Sequence, residues 1–218
     1  MKNLAQKFLT AEEYEQINAA VAAAEKLTAG EIVCMVQSTS YHYPMSDVIG
    51  AATLALPAAL ALTPLVGGWL WLGTQNMWIF LSILVPALAL CHWVVKNCPW
   101  LKRIFISSRE IAEEVEEAAV TNYFKHGLYR TKDSTGILIF VSVFERKVWV
   151  LADHGIDAKV SSDHWRSVVA GITEGIRNKQ AAASICQAIQ TIGRTLAEHF
   201  PVAPDDTNEL DNVIIADR

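Results

Sequence analysis

From residue 48 to residue 95 the chain carries no Asp, Glu, Lys or Arg. Two apolar runs, residues 48–72 and 77–95, flank the short polar stretch Gly73-Thr74-Gln75-Asn76. A bilayer core is roughly 30 Å thick and takes a helix of about 20 apolar residues to cross. Both runs meet that length, the second barely, and neither has the polar face of a helix resting on a soluble core. The pattern predicts a two-helix transmembrane hairpin. Pro57, Pro64 and Pro86 fall inside it, where a membrane helix tolerates them.

The rest of the chain alternates with two other periods. Thr10-Ala11-Glu12-Glu13 reads as a capping box. Tyr14, Ile17, Val21, Ala24 and Leu27 continue it at helical spacing, and Gly30 is expected to stop that helix. Residues 31–37, EIVCMVQ, are apolar at successive positions, as in a strand covered on both faces. Beyond the hairpin, Ser107 with Glu110 reads as a second capping box. It opens a helix with Ile111, Val115, Ala119 and Tyr123 on one face, five Glu on the others and Gly127 at its end. Residues 137–144 and 147–151 predict two strands joined at Glu145-Arg146, a poor pair for a two-residue hairpin turn. Two amphipathic helices follow, the first capped near Ser161, Ser162 and Asp163, the second ending at His199-Phe200-Pro201. One sheet with helices on both faces is the economical packing of this order. It divides the chain into 1–46 and 97–202, two parts of one α/β domain, the hairpin 47–96 between them, and 203–218 as an acidic tail expected to be disordered.

Composition narrows the setting. The net charge of −5 argues against a nucleic-acid partner. Trp69, Trp71 and Trp78 gather at the hairpin turn, and Tyr41, Tyr43, Trp93 and Trp100 at its open end, as aromatic belts do at the two headgroup levels. Lys96, Lys102 and Arg103 flank the open end and the turn is uncharged. The positive-inside rule then places the α/β domain in the cytoplasm of a cell whose inner membrane holds the hairpin as a multi-pass anchor. The lipid bilayer is the expected partner, with a membrane protein as a second. The N-terminal stretch lacks a signal peptide's apolar core, so the first membrane helix is expected to direct insertion. Cys34, Cys91, Cys98 and Cys186 form no C-x-x-C and suit free thiols in a reducing compartment.

Several segments together resemble the TPM domain family, named for a thylakoid-lumen phosphatase, a photosystem II repair protein and a regulator of acetylcholine receptors. They are Phe8-Leu9-Thr10, Thr28-Ala29-Gly30-Glu31-Ile32-Val33, and Thr135-Gly136 running into residues 137–141. Glu145-Arg146-Lys147-Val148, Leu151-Ala152-Asp153-His154-Gly155-Ile156 and His199-Phe200-Pro201 complete the set. The resemblance covers residues 5–46 and 105–201 and is nearest to a bacterial membrane branch with an inserted hairpin. It implies an α/β/α sandwich around a small mixed sheet. Members of the family include acid phosphatases, binders of divalent cations such as calcium, and assembly or repair factors for membrane complexes. Where the family shows Gly-Tyr-Gly-Leu-Glu and then Leu-Thr-Asp, this chain has Asp153 at the first glycine, Gly155 at the second and Asp157 at the Glu. Ser161 matches the Thr, Ser162 takes the place of the Asp, and Asp163 comes one residue late.

Asp153, Asp157 and Asp163, with Asp133 on a nearby loop, are therefore the candidate ligands for calcium or magnesium, both of which take oxygen donors. Gly155 is expected to let the backbone turn so that the carboxylates converge. His154 is a candidate acid or base, and His92 an ionisable group inside the second membrane helix. No nucleophile motif, phosphate-binding loop or dinucleotide fingerprint occurs. The expected role is a non-catalytic scaffold or assembly factor. The contrasting one is a cation-dependent, acid-phosphatase-like hydrolase.

Overall fold

The computed structural model describes residues 3–73, 76–131, 134–202 and 210–216. It divides into two compact units, Met1–Tyr41 with Ala112–Arg218, and His42–Ile111. The division sets the helical unit wider than the 47–96 read from hydropathy alone, because a short helix after the hairpin packs with it.

The first unit is built on a four-stranded mixed sheet in the order β3-β2-β1-β4. β1 (Glu31–Gln37) runs parallel to β2 (Gly136–Ser142), which is antiparallel to β3 (Lys147–Ala152). Every residue of β1 and β2 is buried, as their unbroken apolar runs require. Ile32, Cys34, Val36, Ile137, Ile139 and Val141 form one face, in a core with Ile17 and Val21 of α2 (Ala11–Glu25). Val168 and Ile172 of α8 (Ser162–Arg177) and Ile185, Ile189 and Ile192 of α9 (Ala181–His199) complete that core. Gln37 shares the other face with Val33 and Met35. Its Oε1 accepts from Asn122 Nδ2 at 3.0 Å, which seats α6 (Ser108–Lys125) on that side. Helices therefore cover both faces of the sheet, as the order of elements predicts.

The local signals held at some places and failed at others. The Thr10–Glu13 capping box forms with both hydrogen bonds. The helix it starts ends at Glu25, however, with Lys26 as C-cap rather than Gly30. Before it lies α1 (Leu4–Phe8), whose Ala5 N–H donates to Ser38 Oγ at the end of β1. β2 stops at Ser142, two residues short of the apolar run. Val143 and Phe144 instead donate to Gln37 O and Ser38 O, and residues 143–146 make a four-residue turn closed by Arg146 at φ 51°.

The C-terminal tail corrects the expectation of disorder. Residues 203–209 and 217–218 lie outside the described residues, but Val213–Ala216 form β4, parallel to β1 in the register Cys34↔Val213. Net acidity drew attention away from Val213, Ile214 and Ile215, β-branched residues suited to a sheet edge. Val213 is buried, and its carbonyl accepts from Tyr14 Oη at 3.2 Å.

The second unit contains α3 (Pro44–Trp69), α4 (Met77–Asn97) and α5 (Pro99–Ile104). α3 and α4 are each long and apolar enough to cross a bilayer. They pack through one column of α3: Asp47, Ala51, Ala55, Ala59, Thr63 and Gly67 are buried at every fourth position. Small side chains let two apolar helices approach closely. A Cβ on Gly67 would stand 2.2 Å from the Gly73 carbonyl oxygen, so the turn closes only over glycine there. Asn76 caps α4 by accepting from Trp78 N and Ile79 N. The large side chains of both helices, Leu60, Leu65, Val85 and Leu90 among them, point outward. Trp69, Trp71, Trp78, Trp93 and Trp100 are exposed as aromatic belts require, but Tyr43 is fully buried and belongs to no belt.

Candidate functional site

The chain turns at the end of β3 through Asp153, which caps the single-turn helix α7 (His154–Asp157). Asp153 has extended geometry, φ −71° and ψ 160°, and its Oδ1 accepts from His154 N at 2.7 Å. Its carbonyl receives Ile156 N and Asp157 N. Ile156 is fully buried and anchors the turn. Gly155 lies in ordinary helical backbone, so the cap at Asp153 and not glycine freedom redirects the chain.

The second oxygen, Asp153 Oδ2, is buried without a hydrogen bond to protein. Tyr123 of α6 has its Oη buried in the same condition. The two are neighbours. Burial first, then the Asp153 carboxylate, with Asp157 adding to it, holds the Tyr123 phenol above its usual pKa. Tyr123 thus sets a protonated phenol beside the Asp153 carboxylate, with the exposed Asp157 near enough to act on it through its charge. That arrangement can grip a group bearing both a donor and an acceptor, or contribute oxygens to a cation.

The other expected members do not join them. Asp163 lies in the first turn of α8, exposed, in an ion pair with Arg166 at 2.9 Å. Ser161 takes the N-cap position there with no side-chain cap bond. His154 is exposed, and Asp133 lies outside the described residues. Among the described residues no three His, Cys, Asp or Glu side chains converge on one point. Of the expected set Asp153, Asp157 and Asp163, the fold brings Asp153 and Asp157 toward Tyr123 and leaves Asp163 with Arg166. Tyr123 was hidden in an apolar stripe. Its hydroxyl was the available signal, because a buried tyrosine needs a partner at one end.

A second polar cluster sits at the opposite end of the strands, where parallel β1 and β2 finish. Glu145, at the β2–β3 turn, is fully buried. Its Oε1 accepts from Ser40 N at 2.9 Å and Thr39 Oγ1 at 3.1 Å, and its Oε2 accepts from Ser142 Oγ. Ser40 Oγ and Ser142 Oγ share a further bond at 2.9 Å. The carboxylate is fully used in tying the exit of β1 to the β2–β3 turn, a structural role. Cys34 is not a nucleophile at neutral pH, because burial, and then Cys186, pushes its thiol up to about 12. A shallow groove of about 260 Å³ between α8 and α9 is lined by His164, Ser167, Gly171, Ser184, Gln187 and Thr191, with no carboxylate.

Comparison with known proteins agrees with this geometry. Residues 103–195 match the family model described as TPM domain. No curated protein matches the chain. Among solved structures, the NMR structure of the BA42 protein from the psychrophilic bacterium Bizionia argentinensis has the same fold, at a TM-score of 0.58 and 22% identity over 96% of this chain and 95% of that one. The matched segment is under half of the chain; it spans α6, β2, β3, the Asp153 turn and most of α9, and so takes in both Tyr123 and Asp153.

Proposed function

We propose that the chain is a TPM domain protein that crosses a bacterial inner membrane twice, its α/β domain cytoplasmic, serving as a non-catalytic scaffold or assembly factor for a membrane-protein partner. The observation that carries the membrane part is the sidedness of the hairpin. Its small residues and its single Asp are inside, while its leucines and its four tryptophans, Trp69, Trp71, Trp78 and Trp93, are outside. In water that surface is an aggregation hazard, and in lipid it is the stable arrangement. Lys96 and Arg103 at the open end, against an uncharged turn, support the cytoplasmic side. Carbonate washing of membranes tests the span, and should leave the chain in the pellet. A C-terminal reporter active only outside the cytoplasm tests the side, and its activity would overturn the assignment.

The non-catalytic part is supported by the donor set. Among the described residues, Asp153 and Asp157 are the expected ligands near Tyr123, Asp163 is engaged with Arg166, and Ser162 supplies no carboxylate. The open Oδ2 of Asp153 favours one second reading, a slow cation-dependent hydrolase of phosphate esters. Assay of the full chain in detergent with calcium or magnesium separates the two. Rapid metal-dependent hydrolysis abolished by Asp153→Asn would replace the scaffold reading with the enzymatic one.

A further inference from the structure

Helix α5 is built inside out. On a protein surface in water the basic side chain of such a helix faces solvent, and its Trp and Ile face the core. Here Lys102 is 2% exposed, while Trp100 and Ile104 are 68% and 65% exposed. Lys102 Nζ lies 2.9 Å from Asp47 Oδ1 and 3.1 Å from Oδ2, and donates to the His42 carbonyl at 2.6 Å. The first turns of α3 repeat the inversion. Ser46 and Asp47 are buried, with Ser46 Oγ donating to Tyr43 O at 2.7 Å, and Met45, Val48 and Ile49 face outward.

Withdrawing an ion pair from water is costly, and it is tolerated where the pair is closed and further hydrogen bonded, as this one is. The inversion becomes favourable only if the outer surface is itself apolar. The headgroup–acyl boundary of a bilayer meets that condition. It accepts Trp rings and short apolar insertions, and its phosphates match cations at the same level. The exposed side of α5 runs directly into the exposed side of α4 through Trp93, and Lys96 is exposed between the two tryptophans in sequence.

We infer that α5 and the first two turns of α3 form an interfacial foot. Trp100 and Ile104 insert it into the headgroup–acyl boundary of a phospholipid leaflet, and the Asp47–Lys102 pair latches it to the hairpin. The inference rests on reading α3 and α4 as membrane spans, and it moves the lipid boundary outward, past the end of α4. The test uses the full chain reconstituted in phosphatidylcholine–phosphatidylglycerol vesicles, wild type and Trp100→Phe. The difference emission between the two reports Trp100 alone. It should lose most of its intensity when the phosphatidylcholine is replaced by a form brominated near the top of the acyl chain, and little in aqueous iodide. Quenching by iodide and not by brominated lipid, with the chain still resistant to carbonate, would overturn the foot and leave the span intact. Protection from both quenchers would overturn it as well, since the ring would then lie against protein. Release of the chain by carbonate would overturn span and foot together.

Discussion

The two units bury opposite things. In the α/β unit the sheet puts Ile137, Leu138, Ile139 and Phe140 inside, and its exposed positions are mostly polar. In the helical unit Ala51, Ala55, Ala59 and Gly67 are inside with Asp47 and Lys102, and the leucines and tryptophans are outside. The first pattern is what the hydrophobic effect makes of a chain in water. The second is the pattern expected of helices whose surroundings are as apolar as leucine, where close packing and polar pairing decide the contacts. One chain thus follows two sets of rules, and the change falls near residues 42 and 111.

The sharpest way to break the comparison is to delete the same kind of side chain from each unit. Phe140→Ala removes a fully buried ring from the centre of β2 and should cost about 3–5 kcal/mol in stability. Leu60→Ala removes an outward side chain of α3 and should stay within about 0.5 kcal/mol in micelles. Denaturant unfolding of the full chain in detergent, followed by tryptophan emission, measures both. Similar costs at the two sites would mean that the hairpin's outer face is packed against protein.

The buried charges offer a finer comparison. Lys102→Met leaves Asp47 buried beside an apolar side chain and should destabilise the helical unit by about 3–5 kcal/mol, with most of it recovered when Asp47→Leu is added. Hydrogen exchange on α3 and α5 reports that change locally. Glu145→Ala in the other unit strands the neutral donors Ser40 N and Ser142 Oγ, while Thr39 Oγ1 keeps the Tyr41 carbonyl as acceptor at 2.8 Å, and should cost less, about 1.5–3 kcal/mol. Glu145→Gln keeps an acceptor and should recover part of that loss. A larger penalty for Glu145→Ala than for Lys102→Met would reverse the ranking and show that Asp47 finds another partner.

Much of this was legible in the chain. The unbroken apolar runs of β1 and β2 announce strands covered on both faces, and the absence of charge from residue 48 to 95 announces the hairpin. The missed parts share a physical cause. Glu145 lies in a turn between strands, and only long-range contacts with Thr39 and Ser40 reveal its burial. β4 was missed because acidic neighbours lower the mean hydropathy of a segment whose four strand residues pair with β1 across more than 170 positions. At the candidate site, Asp153 and Asp157 were picked out as candidates by their place after a strand. Tyr123 was not, since helical periodicity treats a phenol as one more apolar residue. Asp163 was overestimated because proximity in sequence hides the local pull of Arg166, three residues on.

The smallest effect at neutral pH is also the most specific test of that site. Tyr123 keeps its proton in the folded chain to a higher pH than the unfolded chain does, whose phenols titrate near 10. Its contribution to stability is therefore complete below that value and is lost as pH rises through it, because only the unfolded state releases the proton. Burial is the first cause and the Asp153 carboxylate the second, so the two can be separated. Tyr123→Phe removes a buried hydroxyl beside the Asp153 carboxylate and should cost about 0.5–1.5 kcal/mol at neutral pH. It should also flatten the alkaline fall in unfolding free energy relative to wild type. Asp153→Asn retains an N-cap side chain and removes the negative charge, so its alkaline slope should lie between the two. The other four tyrosines contribute equally to all three proteins and cancel from the differences. An unchanged slope in Tyr123→Phe would mean that the phenol is not held beside Asp153, and the candidate site would lose its only buried proton donor.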